Sequence, residues 1–202
     1  MKVTVIISSF FLLFLLSHQQ EGKTTDKISH INDTLNVGYT YWWPYSGPFL
    51  FNCNPKQDYA FIFTGTVKRI DPYAVDTTIL YDAQYGVIEI KKVIYAAHCK
   101  RQPYQKQRYF KTDCFYKLGI KEGDHVLVTC YLYENGYAIP GGKSILKIKK
   151  TKGKAYKSMY TLIHRPEKVN YKDSLFWAQY QLKEAFLNAA SCELAKKSRK
   201  NN

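Results

Sequence analysis

The chain has 202 residues, 46% hydrophobic and 16% aromatic, and its 18 Tyr and 11 Phe exclude a disordered or low-complexity polymer and favour a β-rich folded domain. The formal net charge of +14 is unevenly spread: residues 23–142 carry 14 basic against 11 acidic side chains, whereas residues 143–202 carry 15 against 4. The last third therefore holds most of the charge that attracts anionic partners, unless it serves only as a solvated, lysine-rich surface.

Met1 and Lys2 precede an apolar run over 3–16 broken only by Thr4, Ser8 and Ser9. One cation followed by a short apolar stretch is the pattern of a secretory signal, and the run falls short of the ~20 residues that span a bilayer. The expectation is a removable signal over 1–22 and a secreted or periplasmic chain without a transmembrane segment; an uncut signal anchor is the other reading. Residues 23–50 read as a mobile leader ending in the aromatic cluster Tyr39, Tyr41, Trp42, Trp43 and Tyr45, which either binds a sugar or peptide or packs over one end of the core. Asn32-Asp33-Thr34 is a glycosylation sequon in a eukaryotic host.

β-Favouring residues predict strands at 58–70, 86–95, 126–133 and 144–148, with a possible short one at 77–81. Gly65 inside the first marks a bulge or sharp bend. Val126, Val128, Cys130 and Leu132 share one face of their strand, because side chains alternate. Glu134-Asn135-Gly136 is a hairpin signal. Strands of this number and length predict a mainly β fold, an OB-like small barrel over 51–150. Residues 149–156 read as a basic linker. No Pro or Gly occurs over 171–197, and Leu175, Ala178, Leu182, Phe186, Ala189 and Leu194 fall near one stripe, predicting one long amphipathic C-terminal helix with Asp173 or Ser174 as N-cap.

Cys53, Cys99, Cys114, Cys130 and Cys192 all follow the signal, so export predicts four of the five paired and one free thiol. The sharpest local feature is the segment between Cys99 and Cys114. It holds Lys100, Arg101, Lys106, Arg108 and Lys111 together with Tyr104, Tyr109 and Phe110. A Cys99–Cys114 bond would staple this loop and stabilise the fold by ~3 kcal/mol. Arginine forks suit phosphate or sulfate, and tyrosine faces suit bases or sugars. Lys100, Arg101, Tyr104, Lys106, Arg108, Tyr109 and Lys111 are therefore the candidate ligand-binding residues, against the simpler reading of a solvated hairpin loop. His98, Cys99, Cys114, His125 and Cys130 lack the close spacing of a zinc site, so neither metal nor cofactor is expected. Catalytic fingerprints are absent, and His98, His125 and His164 have no sequence-local partner. Asp71, Asp76 and Asp82 are the acidic residues a metal-dependent hydrolase or nuclease would use, although they sit in what reads as a turn.

Cys53, a short spacer and the string from Asp58 to Val67 (DYAFIFTGTV), followed later by Gly123-Asp124-His125-Val126-Leu127-Val128, resemble netrin-like domains. That OB-type fold is shared by tissue inhibitors of metalloproteinases and related exported bacterial proteins, and the resemblance covers roughly 51–148. It implies a barrel that binds proteins or polymers. Inhibition through an N-terminal Cys wedged onto a catalytic zinc is not implied, because residues 23–52 precede Cys53 and the Cys-x-Cys of the inhibitors is missing. The combined expectation is an exported non-enzymatic module that binds a protein or an anionic polymer such as a polysaccharide, with weak nucleic-acid or anionic-membrane association. A nuclease on an OB barrel is one alternative. An envelope-associated structural protein docking through Leu175, Leu182 and Phe186 is the other.

Overall fold

The structure, a computed structural model, describes residues 33–38, 47–49, 53, 58–73, 75 and 82–200. The expected signal, Asn32, the aromatic cluster at 39–45, Asp76 and the short strand expected at 77–81 lie outside them. One sheet is built from β1 (Thr34–Asn36), β2 (Tyr59–Ile70), β3 (Gly86–Ala96), β4 (Tyr109–Thr112), β5 (His125–Tyr133), β6 (Gly136–Ala138) and β7 (Ile145–Ile148). Its order is β1-β4-β3-β2-β5-β6, with β7 also pairing β5. Long β2 lies at the centre because its 59–65 run is buried throughout, including Thr64 and Gly65. At Gly65 a Cβ would stand 2.5 Å from Ile88 Cγ2 and 2.6 Å from the Glu89 carbonyl oxygen. The β2–β3 register shifts at that point, so the expected bulge is present. Glu134 (φ 45°) and Asn135 (φ 63°) form the β5–β6 turn with left-handed backbone at both central positions, as a tight hairpin requires. The sheet curls until the Ile139 N–H donates to the Gly38 carbonyl (3.3 Å) across its two outer edges.

Inside the curl, Phe61, Phe63, Val67, Ile88, Phe110, Val126, Val128 and Cys130 pack as one apolar cluster. The other face of the same strands is also dry. Ile62, Leu127 and Tyr131 face a layer formed by α1 (Lys154–His164), α2 (Tyr171–Ala178) and α3 (Lys183–Lys200). In that second core Trp177 meets Phe49 edge-on at 4.7 Å and stacks on Phe186 at 5.9 Å, and its indole N–H donates to Ser158 Oγ (2.8 Å). Burial on both faces explains why β2 and β5 read as continuous apolar runs rather than alternating ones.

The mainly β class and a C-terminal helix stand as expected, and the details of the helical region differ. Residues 149–156 are not a simple linker, since α1 begins at Lys154 and buries Ala155, Ser158, Met159 and Leu162. The stripe from Leu175 does not run unbroken. Gln181 takes a left-handed φ of 59°, its N–H donates to Ala178 O (2.9 Å), and the Leu182 N–H donates to Trp177 O (3.0 Å). This is a Schellman termination built on Gln where Gly is usual. It rotates the buried face of α2 onto Ser174 and Trp177, leaving Leu175 (52%) exposed; Leu194 (43%) is likewise outward on α3. The α2 N-cap is Asn170 rather than Asp173 or Ser174, and Asp173 completes the capping box as its third helical residue.

The expected pairing of four cysteines is also corrected. Cys53 bonds Cys192 on α3 with Cα atoms 5.2 Å apart, while Cys99, Cys114 and Cys130 are buried thiols. The proposed Cys99–Cys114 staple fails for a topological reason. Cys99 follows the Ala96 end of β3, and Cys114 bridges Gln84 before the Gly86 end, so the 11 residues of that strand lie between their anchor points.

Candidate functional site

The segment from Lys100 to Lys111 is partly strand and partly loop, and its cations are dispersed. Arg108, just before β4, reaches Glu89 on β3 (3.3 Å), where Lys68 and Lys91 also converge, each at 2.9 Å. The ammonium groups of Lys91 and then Lys68 hold the Glu89 carboxyl at about 2, far below the usual 4.5, while burial opposes them and Arg108 adds a smaller pull. Arg101 pairs with Glu134 of the β5–β6 turn at 3.4 Å. Lys111 Nζ lies 5.3 Å from the Tyr85 ring centroid, and Arg108 lies 5.2 Å from that of Tyr109. Tyr104 packs its ring on Phe61 at 4.8 Å and belongs to the interior cluster rather than to a binding face. Lys100 and Lys106 are exposed, and among the described residues neither has a carboxylate within ion-pair distance.

Uncompensated charge gathers elsewhere. A hollow of about 440 Å³ opens where β7 leads into α1. Ile148, Ala155, Phe176 and Tyr180 line it together with Lys149, Lys150 and Lys154. It shares Lys154, Phe176 and Gln179 with a wider groove of about 830 Å³ between α1 and α2, to which Lys157, Lys172 and Leu175 contribute. None of these five lysines has a carboxylate partner among the described residues. The one acid lining the groove, Asp173, accepts the Asn170 N–H of its capping box. The sequence carried part of this signal: Ala155, Met159 and Leu162 at helical spacing mark α1, and Lys150, Lys154 and Lys157 follow the same period.

The remaining sequence candidates separate in space or already have partners. Asp71 pairs with Arg69 at 2.8 Å, and Asp82 accepts the Tyr73 hydroxyl at 2.6 Å, which pushes the Tyr73 phenol up to about 12. His125 Nδ1 lies 3.1 Å from Thr66 Oγ1, and His164 Nε2 lies 2.8 Å from Ile94 O. Among the described residues no three His, Cys, Asp or Glu side chains are grouped to hold a metal ion, and no helix is long and apolar enough to cross a membrane. Burial pushes the Cys114 and Cys130 thiols well up, so both stay protonated and inert at neutral pH. Phe186, one of three side chains assigned to an outward docking stripe, is fully buried against Phe49 and Trp177. No family model matches this chain, and no curated protein matches it in sequence.

Proposed function

We propose that this protein is an exported, non-enzymatic binding module whose ligand is a protein or polymer carrying clustered negative charge. The observation that carries the reading is the adjoining hollow and groove lined by Lys149, Lys150, Lys154, Lys157 and Lys172, where Asp173 is the one acidic lining residue among the described residues. Like charges held close without counter-charges lower the cost of docking an anion, which releases the condensed counterions of both partners. On the barrel, Glu89 and Glu134 already neutralise part of the charge of Arg108 and Arg101, so the Lys100–Lys111 segment is a secondary contact. Export is supported by the apolar N-terminal run and by the Cys53–Cys192 bond, which suits an oxidising compartment. A curled sheet with an apolar interior is also compatible with the netrin-like resemblance of residues 51–148.

Binding of labelled dextran sulfate at rising salt tests this reading. About four lysine contacts should lower the affinity roughly 50-fold between 50 and 200 mM salt. Changing Lys149, Lys150, Lys154 and Lys157 to Gln should remove most of that slope, and changing Lys100 and Lys106 to Gln should remove less. Salt-insensitive binding, or an unchanged slope in the four-lysine variant, defeats the proposal.

A further inference from the structure

We infer that the hollow between β7, α1 and α2 docks an acidic peptide segment of a partner protein, seating one bulky apolar side chain while carboxylates on either side meet the lysines. This rests on the binding reading above and names the chemistry of the ligand. The hollow is two-zoned. Ile148 and Ala155 are nearly fully buried, and half-buried Phe176 and Tyr180 wall it, giving an apolar floor continuous with the core beneath the helices. Exposed Lys149, Lys150 and Lys154 stand around that floor, and Leu175, exposed at 52%, extends the apolar strip along the wider groove. An apolar anchor pocket ringed by cations is the complement of an acidic segment with an aromatic or large aliphatic anchor. Its volume of about 440 Å³ lies within the roughly 300–1,000 Å³ of pockets that take drug-sized ligands, which leaves room for one large side chain.

Other polyanions use this surface less well. A sulfated or uronic polysaccharide has no apolar side chain, so it would contact the lysines and leave the floor hydrated. Single-stranded nucleic acid needs open ring faces. Phe176 meets Tyr180 at 65° and Trp177 at 76°, so no parallel platform is offered.

The test uses the full chain and fluorescence anisotropy with four probes: an acidic peptide with one central tryptophan, the same peptide with alanine there, dextran sulfate, and oligo-dT. The tryptophan peptide should bind about tenfold tighter than the alanine peptide. Gln179→Trp, at an exposed position on the rim, should fill the hollow and abolish that advantage while dextran sulfate binding is retained. The pair Lys150→Glu and Lys154→Glu should weaken every probe. Equal affinity for the two peptides overturns the inference, as does an advantage that survives in Gln179→Trp. Tighter binding of dextran sulfate or oligo-dT than of the tryptophan peptide also overturns it, and leaves the general binding reading standing. If no anionic probe binds the native chain, the binding reading itself falls.

Discussion

Replacing both Cys53 and Cys192 by Ser should cost more stability than any surface change in this protein. The bond joins residues 139 apart, so in the unfolded chain it closes a loop of nearly the whole described length. The chain-entropy relation gives about 5 kcal/mol for a loop of that size, and strain or residual structure typically reduces the realised value to about 2–5 kcal/mol. Cys192 is 4% exposed, so the new hydroxyl also enters a dry site on α3. Among what still holds α3 are the packing of Phe186 and Ala189 and the ion pairs of Lys196 with Asp58 at 2.7 Å and of Lys197 with Glu167 at 2.8 Å. Equilibrium unfolding in guanidinium, followed by far-ultraviolet circular dichroism and by the fluorescence of buried Trp177, measures the effect. With a slope of about 4 kcal/mol per molar denaturant, a loss near 4 kcal/mol moves the midpoint down by about 1 M. A shift below about 0.25 M would mean that the cross-link restrains little of the unfolded ensemble and would refute the reasoning.

Glu89→Gln should reduce stability at neutral pH, because three cations lose their shared counter-charge. The native carboxyl sits near 2 against an ordinary 4.5, so its contribution is complete above 4.5 and disappears as pH falls from 4.5 towards 2. Urea denaturation across that window should show a steeper acid loss in the native chain than in the variant, and identical slopes would contradict the triad of ion pairs. Gln181→Gly should stabilise the fold by about 1 kcal/mol by relieving a left-handed non-glycine residue. A lower melting temperature in that variant would show that the Gln side chain does more than terminate α2.

The strands 59–70, 86–96 and 125–133 were legible because each is long, rich in β-branched and aromatic residues and bounded by turn formers. The Glu134-Asn135-Gly136 turn was legible because both of its left-handed positions are specified locally. β1, β4 and β6 were not legible, since each has three or four residues and lacks the Ile-Leu run that marks the equally short β7, and β1 exists only by pairing in parallel with β4. The break between α2 and α3 was hidden because the residue in the glycine position is Gln181. At the candidate site the lysines of 149–157 were visible as charge, but their basic composition masked the helix that carries them. The Cys99–Lys111 segment stands out by composition alone, which says nothing of the acids that strand β3 and the β5–β6 turn bring beside it.

By itself the sequence determined the mainly β class, the paths of the long strands, the concentration of positive charge in the last third and the apolar run of the first residues. These depend on composition and short-range order, which act within a few positions along the chain. The tertiary structure decided which cysteines meet, which cations are compensated and where an apolar hollow adjoins free lysines. Those outcomes depend on residues far apart in sequence: Cys53 with Cys192, Arg108 and Lys68 with Glu89, Ile148 with Tyr180. Only packing of the helices across the outer face of the sheet brings the last of these pairs together, and with it the groove on which the proposed binding rests.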